Sequence, residues 1–435
     1  MSKALPDERE VLQSATAGEP AQTSSSAAIT KDAILLLAFM WFAYFLNYCD
    51  RQAVFAMFPS LKTDLAMTDR QLGLTGTVFL WVYAFGCPVA GRIGDRISKR
   101  ILVVLSLIIW SLVTVATGFA RSGLDLLSLR AAMGISESLF MPVAIALTAS
   151  AFAPALRSRS IAILTTAQIA GTVVGSWFGG WMADRGAWRG AFFVLGGIGL
   201  LYATPYFLFL RRMRVDEGSL QKVKGEPFRL VSLVRISTYQ ILCVVFPVFV
   251  FGLWLLYGWL PSFLHDKFSL SQSEAALNAA LFLQGSTAVG LLGGGFLADM
   301  LLRLTKASRY WLMITSLILC APSLHAIGSC ESLQALRFAA VAFGLSSGLF
   351  MGNIFPAAFE VVPKNSRATA VGILNLFGGL MSGFATLFGG LWKSTLGIDG
   401  LMTLTAIAYF AAGLLLIYGV YRLFPNDYRI ADYAD

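Results

Sequence analysis

Long apolar runs alternate with short polar breaks along most of this chain. Twelve of the runs are close to or above the ~20 residues that a helix needs to cross ~30 Å of hydrocarbon. The runs are expected at residues 33–59, 71–92, 100–120, 124–150, 160–182, 191–210, 238–263, 275–298, 308–327, 335–360, 367–391 and 399–422. The pattern therefore predicts an all-α membrane protein with twelve transmembrane helices.

The longest interior polar break divides these runs into six and six. Only 13% of the residues are charged, compared with about 25% in soluble domains, so the two sets are expected to form membrane-embedded bundles. The predicted organisation is a disordered cytoplasmic tail (1–30), an N-terminal six-helix bundle (31–210), a basic cytoplasmic linker (211–236), a C-terminal six-helix bundle (237–424) and a cytoplasmic tail (425–435).

The net charge of +9 is unevenly distributed over the breaks. The even-numbered turnarounds hold 18 lysines and arginines and the odd-numbered ones hold 8. This asymmetry is typical of the positive-inside rule and predicts a multi-pass plasma membrane protein, bacterial inner membrane by expectation, with both termini cytoplasmic. It also argues against nucleic-acid binding.

The chain has few cysteines and histidines. The five cysteines and two histidines lack the spacing of a metal site or a disulfide framework. A nucleophile–base set is also missing from the sequence. We therefore expect no catalytic residue, no metal and no cofactor, and we expect the protein not to be an enzyme.

An internal repeat supports the division into two halves. Residues 91–100 join the second and third runs, and residues 295–303 join the eighth and ninth. Both segments place a glycine before an acidic residue at a helix end and then basic residues. Repeated halves of this kind are typical of transporters that bind substrate between the halves near the midplane.

The segment 91–100 closely resembles the loop 2–3 signature of the major facilitator superfamily. The resemblance extends over about residues 31–424 and implies two pseudo-symmetric six-helix bundles that rock about a central cavity. It also implies a cytoplasmic gating network of charges, and Glu360 at the end of the tenth run is expected to belong to the same gate. The expected gating residues are Asp95, Arg96, Arg100, Asp299 and Glu360.

Four further segments resemble the anion:cation symporter group, whose members carry sugar acids and other organic anions with H⁺ or Na⁺. These are the first-run Asn-Tyr-x-Asp-Arg at 47–51, the fourth-run Arg/Gly/Glu/Pro pattern at 130–142, Gln168, and the Asn/Gly segment at 375–379. The spinster-like branch, associated with lysolipid and sphingolipid export, shares the charges of the first and fourth runs. Export of an amphipathic lipid therefore stays open as an alternative.

Four charged residues lie inside membrane-length apolar runs. A charge at this depth costs at least ~2.5–3.5 kcal/mol and usually faces a bundle interior or a watery cavity. Arg130 and Glu137 are seven residues apart, which places them on one helix face. Asp50 and Arg51 are adjacent and point about 100° apart. Arg51 is expected to face the cavity, and Asp50 to turn toward the fourth helix as a proton site or as a partner of Arg130.

These residues predict a symporter in which the arginines bind an anion and the acids take up the coupling ion, H⁺ by expectation and Na⁺ as a possibility. A structural ion pair between the first and fourth helices is the alternative for the charges. A non-transporting ligand sensor is a more remote alternative. We expect a monomer in the lipid bilayer. The expected substrate-binding residues are Arg51, Arg130, Gln168, Asn375, Tyr48, Tyr83, Trp254 and Tyr257, and the expected proton-coupling residues are Asp50 and Glu137.

Overall fold

The computed structural model describes residues 31–94, 97–152, 154–213, 233, 235–363 and 366–433, and all regular structure within them is helical. The helices are α1 (Lys31–Ala56), α2 (Phe58–Asp64), α3 (Asp69–Gly94), α4 (Lys99–Thr117), α5 (Gly123–Ser138), α6 (Phe140–Ala151), α7 (Pro154–Ala183), α8 (Trp188–Arg212), α9 (Ser237–Phe268), α10 (Gln272–Leu301), α11 (Ser308–Ser329), α12 (Leu333–Val361), α13 (Arg367–Trp392), α14 (Gly397–Arg422) and α15 (Phe424–Tyr433). The predicted tail 1–30 and most of the predicted linker 211–236 lie outside these residues.

The twelve predicted membrane spans are confirmed, with α5 and α6 together forming the fourth. Two predicted runs are interrupted in the structure. The first run ends at Ala56, and α2 follows with Pro59 in its first turn, where a missing N–H is tolerated. The fourth run breaks at Leu139, between α5 and α6. Pro142 has no N–H to bond the carbonyl of Ser138, which explains an interruption at this point.

The spans form two six-helix sets with the same pairing pattern. In the first set α1 packs on α7, α3 on α5, and α4 on α8. The second set repeats these pairings as α9 on α13, α10 on α12, and α11 on α14. The two sets meet through α3 against α13 and α7 against α10. The predicted pseudo-symmetric all-α fold is therefore confirmed.

Glycines allow α1 and α7 to approach closely. Gly171, Gly175 and Gly179 repeat at four-residue spacing on α7. A Cβ on any of them would overlap the backbone of α1, which at Gly175 means the backbone of Cys49. Small residues at such spacing are a common means of packing helices within a membrane. The charges on α1 are held in place by this contact.

The carboxyl-terminal segment differs from the prediction of a plain tail. Residues 425–433 belong to α15. The carboxylate of Asp427 accepts a hydrogen bond of 2.7 Å from the backbone N–H of Thr238. A carboxylate at the start of a helix satisfies an unpaired N–H and interacts favourably with the helix dipole. This bond connects α15 to the beginning of α9.

We expect Gly175→Ala to destabilise the protein by about 1–3 kcal/mol, the usual range for an overpacked helix contact. The measurement is the unfolding temperature of the purified protein in detergent. Gly197→Ala is the matched control, because a Cβ at Gly197 of α8 meets nothing within 4 Å. Equal unfolding temperatures for the two variants would show that the α1–α7 contact is not as tight as described.

Candidate functional site

Four charged side chains are completely buried, and they form what we call the charge cluster. Asp50 and Arg51 lie on α1, and Arg130 and Glu137 lie on α5; each is at most 3% exposed. Within the described part of the chain these are the charged side chains that the fold buries. The described residues of the second six-helix set bury hydroxyls and amides instead.

Arg51 and Glu137 form an ion pair inside the bundle. Nη2 of Arg51 lies 2.7 Å from Oε2 of Glu137, and Nε lies 3.3 Å from the same oxygen. Nη2 of Arg51 also donates to the side-chain oxygen of Asn47 at 3.3 Å, and Nη1 donates to the Tyr48 hydroxyl at 3.4 Å. The other oxygen of Glu137, Oε1, is buried and has no hydrogen-bond partner in the described part of the chain. The sequence predicted that Arg51 faces the cavity. In this structure its guanidinium is instead paired with Glu137.

Aromatic rings surround the Arg51 guanidinium. Its carbon lies 4.6 Å from the ring centroid of Tyr48, and 4.8 Å from those of Phe79 and Tyr83. Cation–π contacts of this kind gain strength when the site is shielded from water. Two of the rings, Tyr48 and Tyr83, were predicted from the sequence, whereas Phe79 was not.

Arg130 is buried without a carboxylate partner. Its Nε donates to the carbonyl of Thr75 at 3.4 Å, and Nη1 lies 3.2 Å from the sulfur of Met133. Among the residues that the structure describes, Nη2 has no hydrogen-bond acceptor. The guanidinium also lies over the Phe79 ring, 4.6 Å from its centroid. A buried guanidinium with an unused donor can accept an anion.

Asp50 does not pair with Arg130, contrary to one of the two expectations. No arginine or lysine of the described residues lies within 4 Å of its carboxylate. Instead Oδ2 accepts a hydrogen bond of 3.1 Å from the hydroxyl of Thr114 on α4, and no described residue bonds Oδ1. The reason is geometric, because Asp50 points about 100° away from Arg51 on α1 and therefore meets α4. Thr114 was missed because a threonine in an apolar helix usually bonds its own backbone.

The remaining predicted binding residues are arranged around the boundary between the halves. Gln168 of α7 accepts a hydrogen bond from the Tyr44 hydroxyl at 3.1 Å, and Tyr44 packs edge-on against Tyr48 at 5.1 Å. From the second half, Trp254 and Tyr257 of α9 pack edge-on at 5.6 Å, and both are half-buried. These contacts bring both halves to the charge cluster, since Trp254 also packs against the group containing Phe79 and Met133.

Asn375 of α13 is exposed. It is one turn from Gly379 of α13, which faces the side chain of Ala84 on α3.

Two of the predicted gating acids meet at one arginine. Arg309 lies 2.6 Å from Glu360 and 3.4 Å from Asp299. The sequence did not predict a role for Arg309, because the two acids and this arginine lie on three different helices, α10, α11 and α12. Only the packing of these helices brings them together. Arg100 donates to the backbone carbonyl of Met213 at 2.7 Å. The predicted gating residues Asp95 and Arg96 lie outside the described residues.

The halves are joined on one face, which we call the sealed face; the opposite face, carrying Lys31 and Arg422, is the terminal face. On the sealed side, Thr77 donates to the carbonyl of Gly383 at 2.9 Å and Trp81 donates to the carbonyl of Leu380 at 2.9 Å. All hydrogen bonds between described residues of the two halves lie between the level of Trp81 and the sealed face. This conformation is therefore closed at the sealed face and less tightly joined at the terminal face.

Asp184 joins the two halves at the sealed face. Its carboxylate accepts hydrogen bonds from the backbone N–H of Gln272 at 2.7 Å and of Ser273 at 2.9 Å, and from the Ser273 hydroxyl at 2.6 Å. It therefore caps α10 from the end of α7. Desolvation acts to raise the pKa of Asp184, but the hydrogen bonds from Ser273 and Gln272 outweigh it and hold that pKa below its ordinary value.

Comparisons with known proteins agree with this architecture. The family model described as Major Facilitator Superfamily matches residues 40–386. The chain is 24% identical over 356 residues to a hexuronate transporter of Bacillus subtilis, covering 79% of this chain and 83% of that protein. It is 30% identical over 286 residues to a probable sulfoacetate transporter of Cupriavidus necator, covering 62% and 66% of the two. Among solved structures, a bacterial homologue of the human lysosomal transporter Spinster, in an inward-facing and unoccupied conformation, matches with a TM-score of 0.75 at 22% identity, over 93% of this chain and 98% of that one.

We expect Asp184→Asn to shift the protein toward opening at the sealed face, because the variant keeps hydrogen-bonding atoms but loses the charge at the start of α10. An exposed charge at a helix end contributes ~0.3–1 kcal/mol, so the open population should rise roughly twofold to fivefold. The measurement is the distance distribution between spin labels at Arg121 and Glu331, one on each half. Asp399→Asn is the matched control, since Asp399 is likewise an acid at the start of a helix, in the first turn of α14.

The same bond should be insensitive to pH in the neutral range. A carboxylate whose pKa is depressed stabilises the closed face fully above its ordinary pKa and loses this contribution only as the pH falls through the depressed value. The label distances should therefore stay constant between about pH 5 and pH 8. Opening of the wild type near pH 6 through loss of this bond would contradict the assignment.

Proposed function

The chain belongs to the major facilitator superfamily and is a membrane transporter rather than an enzyme, and we propose that it carries a small organic anion in symport with a proton. The substrate class is a carboxylate such as a sugar acid. Transport proceeds by alternating access, with the anion bound between the two six-helix halves. Na⁺ is the other candidate for the coupling ion.

The observation that carries this proposal is the buried ion pair between Arg51 and Glu137. A substrate carboxylate has the same chemistry as the Glu137 side chain and can bind the guanidinium in its place. Removing only one partner of a buried ion pair leaves an unpaired charge, which costs ~3–5 kcal/mol. Substrate can therefore displace Glu137 without this penalty only if Glu137 becomes neutral at the same time.

Protonation of Glu137 supplies this neutralisation. The proton neutralises Glu137 and releases Arg51, and the anion binds the released guanidinium. The positive charge of Arg51 is then balanced by the anion instead of by Glu137. Because the proton and the anion each favour the binding of the other, their affinities are linked reciprocally. This linkage is the physical basis of symport.

Asp50 and Arg130 form a second, unpaired set of charges beside the first. Arg130 has an unused donor, and Asp50 is held by one hydroxyl of Thr114. In the proposed cycle Arg130 adds to the positive potential that attracts the anion. Asp50 serves as a second carboxyl for the coupling proton. Gln168 and Asn375 supply neutral hydrogen bonds from each half.

The relatives support an anionic substrate. Hexuronate and sulfoacetate, named for two relatives, are both small organic anions. A spinster homologue of Xenopus laevis matches 45% of this chain at 28% identity, which keeps an amphipathic lipid as the second candidate.

The proposed orientation follows the distribution of basic residues. The terminal face, which carries the excess of lysine and arginine in the sequence, is placed in the cytoplasm, and the sealed face is placed outside. The proposed location is the plasma membrane, which for a bacterial protein is the inner membrane. We propose that the transporting unit is a monomer.

The test is uptake into proteoliposomes with D-glucuronate and sulfoacetate as substrates. We expect accumulation under an inward pH gradient and its loss when the gradient is collapsed. Glu137→Gln should reduce gradient-driven accumulation by about tenfold or more, because the amide cannot exchange a proton. Counterflow of the same anion should persist, since Arg51 remains. Glu331→Gln is the control, because Glu331 is an exposed carboxylate outside the charge cluster.

Full accumulation by Glu137→Gln would exclude Glu137 as the proton site. Accumulation that follows a Na⁺ gradient and survives collapse of the pH gradient would replace H⁺ by Na⁺. A lysophospholipid included in the substrate panel tests the second candidate. Transport of the lipid without transport of either anion would decide for it.

A further inference from the structure

The hydroxyl of Thr114 lies within hydrogen-bond distance of two acceptors. Thr114 belongs to α4 and is fully buried. Its Oγ1 lies 3.1 Å from Oδ2 of Asp50 and 2.9 Å from the backbone carbonyl of Trp110, one turn earlier on the same helix. A threonine hydroxyl carries one hydrogen and two acceptor lone pairs. It can therefore donate to Asp50 or to Trp110 at any moment, but not to both.

The Asp50 carboxyl depends on this hydroxyl for its hydrogen bonding. Asp50 is buried on α1, and within the described part of the chain Thr114 supplies the hydrogen bond that its carboxyl receives. Arg130 and Glu137 of α5 are the charged groups that act on Asp50 through the bundle, but neither of them is hydrogen-bonded to it. Since buried polar groups normally need a partner, the state of Asp50 and the direction of the Thr114 O–H must change together.

The ionised carboxylate takes the hydroxyl hydrogen for itself. An ionised Asp50 can only accept hydrogen bonds, so the Thr114 O–H points at Oδ2. The Trp110 carbonyl loses nothing essential in this arrangement, because the backbone N–H of Thr114 is its regular partner in an α-helix. The hydrogen bond to a charged oxygen is also the stronger of the two that Thr114 can donate.

The protonated carboxyl reverses this hydrogen bond. A proton bound to Oδ2 of Asp50 points at a lone pair of the Thr114 hydroxyl, and the hydroxyl hydrogen turns to the Trp110 carbonyl, which is already 2.9 Å away. A proton on Oδ1 would instead find no acceptor among the described residues. One proton therefore enters the site, the O–H bond forms at Oδ2, and both oxygens of the Asp50–Thr114 contact keep a partner.

We propose that Thr114 is a positioning residue for the coupling proton, whose hydroxyl reverses its hydrogen bond each time Asp50 gains or loses that proton. This inference rests on the proposed function, because it takes Asp50 as a carboxyl that exchanges the coupling proton. Removing the hydroxyl harms the ionised carboxylate more than the neutral carboxyl, since hydrogen bonds to charged groups are roughly twice as strong as neutral ones. A protein without this hydroxyl therefore binds the proton at Asp50 but releases it poorly.

The test uses three variants on α4. Thr114→Val removes the hydroxyl at nearly constant shape, and Thr114→Ser keeps a hydroxyl in its place. Thr117→Val is the matched control, because Thr117 is also fully buried and its hydroxyl donates to the carbonyl of Val113 at 2.8 Å. The control thus makes the same chemical change on the same helix, at a hydroxyl that bonds no carboxylate of the described residues.

In proteoliposomes, we expect Thr114→Val to lower the accumulation of D-glucuronate or sulfoacetate under an inward pH gradient by about tenfold, as for the loss of one well-formed hydrogen bond. Counterflow of the same anion should change by less than about twofold, because exchange does not require release of the proton. Thr114→Ser should restore accumulation, and Thr117→Val should match the wild type. Full accumulation by Thr114→Val would overturn the inference, and so would an equal loss of accumulation and counterflow, as a general effect on folding.

Infrared difference spectra of the purified protein separate this inference from the proposed function, because they need no transport. The protonated-carboxyl band that Asp50→Asn removes belongs to Asp50. We expect this band to persist about one pH unit higher in Thr114→Val, which is the equivalent of a tenfold change, and to be unchanged in Thr117→Val. An altered band in a protein that transports neither anion would count against the proposed function and support the reversing hydrogen bond. An unaltered band, or a wild type without such a band, would overturn the inference.

Discussion

The burial of the Arg51–Glu137 ion pair is the constraint on which the rest of the amino-terminal half depends. In a low-dielectric interior, neither charge can be left alone without a penalty of several kcal/mol. Replacing both by apolar residues would often be neutral or even stabilising. A pair of this kind is therefore poorly explained by stability alone. It is well suited to an exchange in which a proton and an anion replace the contact between its two members.

The surrounding fold holds this pair in place through close helix packing. Gly171, Gly175 and Gly179 bring α7 against α1, which fixes the helix that carries Asp50 and Arg51. The rings of Tyr48, Phe79 and Tyr83 then enclose the guanidinium and exclude water from it. Larger side chains on α7 would move α1 away and admit solvent to the pair. The small residues on one helix and the aromatic residues on the others thus serve the same electrostatic purpose.

The sequence predicted the twelve spans and the identity of the buried charges, because hydropathy and the energetic penalty for intramembrane charge are local properties. It did not predict how the charges pair. Seven-residue spacing places Arg130 and Glu137 on one face, but only the structure shows that Glu137 of α5 reaches Arg51 of α1. The contact of Asp50 with Thr114 and the position of Arg309 between Asp299 and Glu360 depend on helix neighbours in the same way.

The distribution of charge between the halves bears on how the transporter can close. The described buried charges belong to the first half, whereas the second half packs the neutral ring of Trp254 against the group containing Phe79 and Met133. A neutral surface can approach the charge cluster closely only when the cluster is itself balanced, because an uncompensated charge would lose its remaining hydration. The charge of Arg51 is balanced by ionised Glu137, or by a bound anion when Glu137 is protonated. When only the proton or only the anion is bound, one charge at the site is left without a counter-charge. In the proposed cycle the halves therefore move only past the empty site or the doubly loaded site, and this restriction would couple the transport of the two species.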